Sequence, residues 1–378
     1  MLWRPGAGRA VAVGVGVLLT GALVLAASVV APGELGRFTA AFQSVAPLVL
    51  LAVLTQLQPF WPALRPLAWL VLIMLLLALL TLVVAATLMA VDPAGTGGSD
   101  ALPPQARMPL LVALGVGIAG LLGSVGLLMG GTWVRLARRL GGQVNPTDLR
   151  HAQGLIGLVA ASILAFVPLI ALGGEAPALR MVAADPAIFS RDRSSSGQLL
   201  DQAYDLAWTI PLALLLVGVP LRRTVREALV RLGVRRLGVR GLAIGVGGAA
   251  VLWVVGTALD TGTYWLWGVM GWPRTDPELV SRLMGAAFSP VGAFVAAIAA
   301  GLGEELMMRG VLQPRFGWLL PNLAFTAAHA LQYNLDALIG VFVAGAVLAL
   351  MRARWSTSEG IVAHALYDLV QFLGGSLE

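Results

Sequence analysis

The sequence predicts an all-α, polytopic membrane protein, and three observations carry that prediction. The chain of 378 residues is 58% hydrophobic and only 12% charged, its mean hydropathy is strongly positive, and it contains repeated charge-free stretches long enough to cross a bilayer as helices. The stretches are continuous rather than alternating in polarity. That pattern argues against a closed β-barrel and leaves helices as the way to satisfy backbone polar groups in lipid.

Taken in order, the candidate spans fall at about residues 10–31, 38–58, 66–91, 109–131, 152–173, 206–221, 241–258 and 285–303, followed by 318–334, 337–351 and 360–374. The count is about eleven, give or take two. The first run follows Arg4 and Arg9 as a signal peptide would, but its 22 residues exceed a normal signal core and more spans follow, so it reads as a retained anchor. The fourth is rich in glycine, with Gly126 and Gly130 at the small-xxx-small spacing that lets membrane helices approach closely. Residues 174–205, with Ser194-Ser195-Ser196 and the Arg191-Asp192-Arg193 run, read as an exposed loop. Trp265, Trp267 and Trp272 fit an aromatic belt at the membrane interface.

All 25 basic residues are arginine. Together with the Ala, Gly, Leu and Val excess, this usage suggests a GC-rich, bacterial genome and hence a bacterial inner membrane. The segment Arg222–Arg240 holds seven arginines against one acid, Glu227. Positive charge stays on the cytoplasmic side, so this segment and the basic segments 1–9, 132–150 and 352–359 are placed inside, with the N-terminus cytoplasmic and the C-terminus outside. Between two spans such a patch records topology and attraction to anionic lipid rather than a nucleic-acid site. There are no cysteines, which excludes disulfides, thiolate metal sites and a cysteine nucleophile.

The chemistry collects in the last 75 residues: Glu304, Glu305, Arg309, His329, His364 and Asp368, each on or beside an apolar helix candidate. Residues four apart share a helix face, so Glu305 can pair with Arg309, Phe325 lies on the face of His329, and His364 and Asp368 point together. Adjacent residues diverge by about 100°, so the two glutamates divide their work: Glu305 is neutralised by Arg309 while Glu304 faces a cavity. His151 reads as interfacial, Tyr367 as an interfacial or core aromatic, and Asp205 and Asp336 as residues at helix ends.

A carboxylate, two imidazoles and a second carboxyl group converging in a low-dielectric site suffice for water activation and oxyanion stabilisation. No serine or cysteine stands in a nucleophile context. A divalent metal such as zinc, held by members of the set Glu304, His329, His364 and Asp368, is the alternative, although the H-E-x-x-H spacing is absent.

These residues resemble three successive motifs of a known family: Glu304-Glu305-Leu-Met-Met-Arg309-Gly-Val-Leu-Gln, Phe325-Thr-Ala-Ala-His329, and His364-Ala-Leu-Tyr-Asp368, with a Gly340-x₄-Gly345 helix between. The family is the CPBP group of intramembrane proteins, comprising CAAX prenyl endopeptidases and bacteriocin-processing or immunity (Abi) proteins. The resemblance covers residues 240–374 and implies a glutamate-dependent intramembrane endopeptidase. Glu304 with His329 would activate water, His364 and residue 368 would polarise the scissile carbonyl, and Glu305 and Arg309 would hold the first motif together. The family commonly has asparagine where this chain has Asp368. An ionised aspartate cannot donate to an oxyanion, so Asp368 is protonated, acts through His364, or binds a metal.

The chain accordingly divides into an N-terminal bundle of about five spans with its loop, residues 1–205, and a CPBP-like core, residues 206–378. The leading function is cleavage of a membrane-associated peptide or protein from a cytoplasm-facing cavity. The alternatives are a catalytically silent scaffold or regulator and a proton-coupled transporter, the last disfavoured because no inverted repeat is evident. At about 1.5 Å per residue, Glu304 falls near the cytoplasmic end of its span and His329 near the middle of the next. Tilted or broken helices around a water-filled cavity reconcile those depths.

Overall fold

A computed structural model describes residues 6–93, 104–129, 131–145, 147–189 and 194–375. The expectations for Arg4, Gly130 and Arg191-Asp192-Arg193 lie outside them. The described residues contain helices and no strand. In chain order the helices are α1 (Ala7–Val30), α2 (Gly33–Leu57), α3 (Arg65–Val91), α4 (Pro104–Met129), α5 (Thr132–Arg139), α6 (Leu149–Ala171), α7 (Pro177–Ala184) and α8 (Ser195–Val217). They continue with α9 (Val225–Leu232), α10 (Val239–Met270), α11 (Pro277–Met284), α12 (Pro290–Glu305), α13 (Gln313–Phe316), α14 (Leu319–Ala328), α15 (Leu335–Arg354) and α16 (Thr357–Gly375).

Nine helices among the described residues are long and apolar enough to cross a membrane: α1, α2, α3, α4, α6, α8, α10, α12 with its continuation to Phe316, and α15. The protein is an integral membrane protein. Two of the eleven expected spans differ. Residues 318–334 form only the ten-residue α14, about 15 Å long and too short to cross alone. Residues 360–374 lie in α16, which carries Glu359, His364 and Asp368 and packs against α10 and α12.

Local sequence explains the ends. Asp148, Ser194, Thr224, Asp276 and Ser289 each cap a helix by accepting a hydrogen bond from a first-turn amide, and Thr224 with Glu227 completes a capping box. Pro177, Pro277 and Pro290 sit in the first turns of α7, α11 and α12, where a missing amide hydrogen costs nothing.

The stretch 174–205 is not a free loop. It contains α7, whose Leu179, Met181 and Val182 are buried, and the first three turns of α8. Polar anchors hold it to the rest: Ala176 N–H donates to Asn334 Oδ1 at 2.6 Å, Ala178 N–H to the Leu331 carbonyl at 2.8 Å, and Arg37 bridges Asp201 at 2.8 Å. The expected boundary at residue 205 therefore falls inside α8. Buried clusters also join the two parts, one uniting Phe42 and Val53 with Leu212 and Leu221, another Leu155 with Phe316 and Leu320. Trp265 and Trp272 are exposed as a belt requires, whereas Trp267 is buried edge-on against Trp272.

Two ends of the C-terminal bundle are marked by polar ties. At one end Thr357 Oγ1 donates to the Leu232 carbonyl at 2.6 Å, Arg235 N–H to Ser358 Oγ at 2.9 Å, and Arg352 Nε to the Arg309 carbonyl at 3.3 Å. This end gathers α9, the start of α10, the end of α15 and the start of α16, and it carries the arginine-rich segment. At the other end Asp336 accepts from Thr275 N–H at 2.9 Å and Thr275 Oγ1 at 2.8 Å. Between them, α12 and α16 touch at Gly301, where a Cβ would stand 2.8 Å from the Ala365 backbone nitrogen. Membrane helices associate through such close small-residue contacts rather than through the hydrophobic effect.

Candidate active site

Helix α12 changes character after Glu305: Leu306–Leu312 form a π-helical turn before α13 resumes. A π turn inserts an extra residue and redirects the chain, and such turns concentrate at functional sites. This is the break that the depth argument calls for. Within it Arg309 Nη1 lies 3.0 Å from Glu305 Oε1, with both side chains almost fully buried. Arg309 Nη2 donates to the Gly345 carbonyl at 3.0 Å, and its guanidinium covers the Phe325 ring at 4.5 Å. A Cβ at Gly345 would collide with Asn322 Oδ1, which itself stands against α15 by donating from Nδ2 to the Phe342 carbonyl at 2.8 Å.

Glu305 has a second partner. His364 Nδ1 lies 3.1 Å from the same Oε1, so the Arg309–Glu305 pair holds the imidazole from behind. The opposite nitrogen, Nε2, is left facing Asp368 Oδ2 at 3.4 Å and Glu304 Oε2 at 3.8 Å. Glu304 is about one-third exposed, and its buried Oε2 makes no hydrogen bond to the protein. The two adjacent glutamates therefore do face different ways, one into the helix packing and one into a cavity.

That cavity measures about 330 Å³ and is lined by Glu304, His329, His364 and Asp368 together with Phe325, Tyr333 and Asp260. His329 Nδ1 lies 2.9 Å from the Phe325 carbonyl. A carbonyl only accepts, so Nδ1 carries the hydrogen and Nε2 is the free acceptor. Phe325 stands edge-on to His329 and to His364, at centroid separations of 4.9 and 6.1 Å. It is at once a packing residue under Arg309 and a wall of the site.

All four expected catalytic residues and Phe325 thus line one cavity, with Glu305 and Arg309 directly behind it. His151 lies elsewhere, 3.4 Å from Asp148 and against Phe316. Sequence reasoning missed three features. The Glu305–His364 contact joins residues 59 apart, which spacing within one helix does not reveal. Tyr333 stacks parallel to His329 at 6.0 Å, and the four-residue spacing was there to be read. Asp260 follows the apolar run that ends near 258, whereas α10 runs on to Met270 and carries it.

The cavity also runs in an unexpected direction. Its remaining lining includes Met284, Gln332, Gln371 and Phe372, residues toward the Thr275–Asp336 end. Its lining toward the arginine-rich end, Leu252 and Leu348, is buried, whereas Asp260 and Gln371 toward the other end are exposed. Among the described residues, no group of three or more His, Asp or Glu side chains is arranged to hold a metal ion. His364 Nε2 is in ion-pair range of both Glu304 and Asp368.

Comparison with protein-family models matches residues 286–370 to the type II CAAX prenyl endopeptidase Rce1-like family. The chain carries a CPBP-family domain. The match begins just before α12 and ends two residues beyond Asp368, so every cavity residue named above except Asp260 and Met284, and the ends of α16 at Gln371 and Phe372, lies within the CPBP domain. It supports a CAAX-protease-like intramembrane peptidase. Comparisons with curated proteins and with solved structures gave no match.

Proposed function

We propose that the protein is an intramembrane endopeptidase that hydrolyses a peptide bond of a membrane-associated protein or peptide with water activated by Glu304. The observation that carries this reading is the set of contacts around His364: Nδ1 on Glu305, and Nε2 facing Glu304 and Asp368 in a cavity shared with His329. A low-dielectric cavity strengthens each of these interactions relative to water.

Glu304 Oε2 takes a proton from water as the water oxygen attacks the scissile carbonyl carbon. His329, with hydrogen on Nδ1 and an open Nε2, accepts a hydrogen bond from the same water and orients it. The proton held by Glu304 then passes to the departing amide nitrogen, leaving a carboxylic acid and an amine. His364 Nε2–H donates to the developing oxyanion. Asp368 acts through His364, favouring the protonated imidazole, which fits one of the three roles open to an aspartate at this position.

The face bearing Arg222–Arg240 is assigned to the cytoplasm by its charge, in a bacterial inner membrane, where anionic lipid headgroups meet the arginines. The deciding experiment is turnover of a membrane-peptide library by purified protein, with Glu304→Gln as control. Cleavage by the wild type and a loss of at least a hundredfold in the folded variant support the reading. Equal loss of expression or of folding in both Glu304→Gln and Arg309→Ala would point instead to a structural polar network in a scaffold protein.

A further inference from the structure

The cavity extends well beyond the motif residues, and its far end has its own chemistry. Along α16 it follows the chain from His364 to Phe372, eight residues or about 12 Å, toward the end opposite the arginines. No arginine lines it, although the chain has 25. Beyond Glu304 and Asp368, the one further acid in its wall is Asp260.

Asp260 lies inside α10, ten residues before its end, on a membrane-crossing helix. It stands two residues past the apolar run 241–258 and is exposed on the cavity wall. No described side chain forms an ion pair or hydrogen bond with its carboxylate. Described arginines of that end are engaged elsewhere: Arg180 with Glu175 at 3.0 Å, Arg282 with Glu278, and Arg274 over the Tyr264 ring at 4.2 Å. The nearest acid, Asp336, is occupied by Thr275. Across from Asp260 stands Gly340, where a Cβ would lie 3.9 Å from Asp260 Oδ1.

The height of Asp260 follows from its neighbours. Gly256 faces the Tyr367 hydroxyl, a Cβ there standing 3.0 Å from it. Tyr367 is three residues beyond His364, and Asp260 is one helical turn beyond Gly256, which together place its carboxylate about 10 Å above the imidazole. An extended peptide covers that distance in about three residues.

We propose that the cavity receives a peptide strand from the face opposite the arginine-rich loops, and that Asp260 at its mouth selects a basic side chain about three residues from the scissile bond. The proposal rests on the peptidase reading for the word scissile, but not for the binding.

The test uses the full-length protein in detergent and two fluorogenic peptide libraries that differ only in lysine or norleucine at one fixed position. The wild type should prefer the lysine library by about tenfold in kcat/KM, as for a partly desolvated charge pair. Asp260→Asn should bring the ratio to within about threefold, and Asp260→Arg should invert it. Each ratio is internal to one variant, so incomplete folding leaves it unaffected. An unchanged ratio in Asp260→Asn overturns the proposal. Binding of both libraries is measured in parallel by anisotropy with Glu304→Gln and with Glu304→Gln/Asp260→Asn. Absent turnover with Asp260-dependent lysine selectivity in binding means that the peptidase reading fails and the charge selection stands; no selectivity in either assay overturns it. In vesicles, external peptide should be cleaved or bound only by molecules whose arginine-rich face is luminal, and the opposite orientation dependence overturns the side of entry.

Discussion

Glu305 Oε1 lies 3.1 Å from His364 Nδ1, and the contact separates the roles of two adjacent glutamates more sharply than helix geometry alone does. Glu305 is fully buried between Arg309 and His364, whereas Glu304 is about one-third exposed to the cavity. Glu304→Gln should remove turnover and leave the melting temperature within about 2 °C of wild type, because His364 keeps Glu305 and Asp368 as partners. Glu305→Gln should also cut turnover, by the ten- to hundredfold typical of a group that orients an imidazole, and should lower the melting temperature as well by stranding Arg309. Matching melting curves for the two variants would show that the division is wrong.

Arg309 is the residue whose loss should cost most stability. Its removal leaves Glu305 buried without a countercharge, a change that costs about 3–5 kcal/mol in soluble proteins, and strips the cover from Phe325. Replacing both partners, as in Glu305→Leu with Arg309→Met, should recover much of that stability without recovering activity. Chemical denaturation of the two singles and the double forms a thermodynamic cycle. Additive losses would mean that the pair at 3.0 Å is not an energetic unit.

The fold class and the four cavity residues were legible because both depend on local rules. Long apolar runs specify spans, and four-residue spacing put His364 beside Asp368 and Glu305 beside Arg309. What was not legible depends on contacts between helices. The break after Glu305 starts in Leu306, Met307 and Met308, ordinary helix formers, and the breaker that follows, Pro314, stands beyond the turn rather than at its start. The length of α10 was misjudged because Asp260, Thr261 and Thr263 interrupt hydropathy, although Thr261 and Thr263 return their hydroxyls to carbonyls four residues back at 2.8 and 2.9 Å and so stay within the helix. Helix α7 was hidden in the same way, because its burial depends on Leu331 and Asn334 from the distant core.

Outside the membrane, Asp148 offers a pH-dependent test. It caps α6, accepting from Arg150 N–H at 3.0 Å and Arg150 Nε at 2.9 Å, with His151 at 3.4 Å. Burial alone would raise its carboxyl, but the hydrogen bonds from His151 and Arg150 and the Arg150 charge outweigh burial and hold it well below the usual range. A depressed folded value means stability that is present above the unfolded value, about 3.9, and lost as the pH falls below it. Asp148→Asn keeps a good cap but cannot titrate. Between about pH 5 and 3 the wild type should therefore lose more melting temperature than the variant, and parallel curves would sink the assignment.

Asp368 Oδ2 is 3.4 Å from His364 Nε2, a placement that lets its charge act through the imidazole. Asp368→Asn, which introduces the residue common in the family, supplies an amide donor but removes the charge that favours protonated His364. If Asp368 works through His364, the variant should keep turnover within about tenfold at low pH and lose it at a lower pH than wild type, because the imidazole gives up its proton sooner. Asp368→Ala, lacking both donor and charge, should fall by at least a further tenfold. A pH profile for Asp368→Asn that overlays the wild type would instead mean that residue 368 meets the substrate directly, as a protonated acid in one protein and an amide in the other.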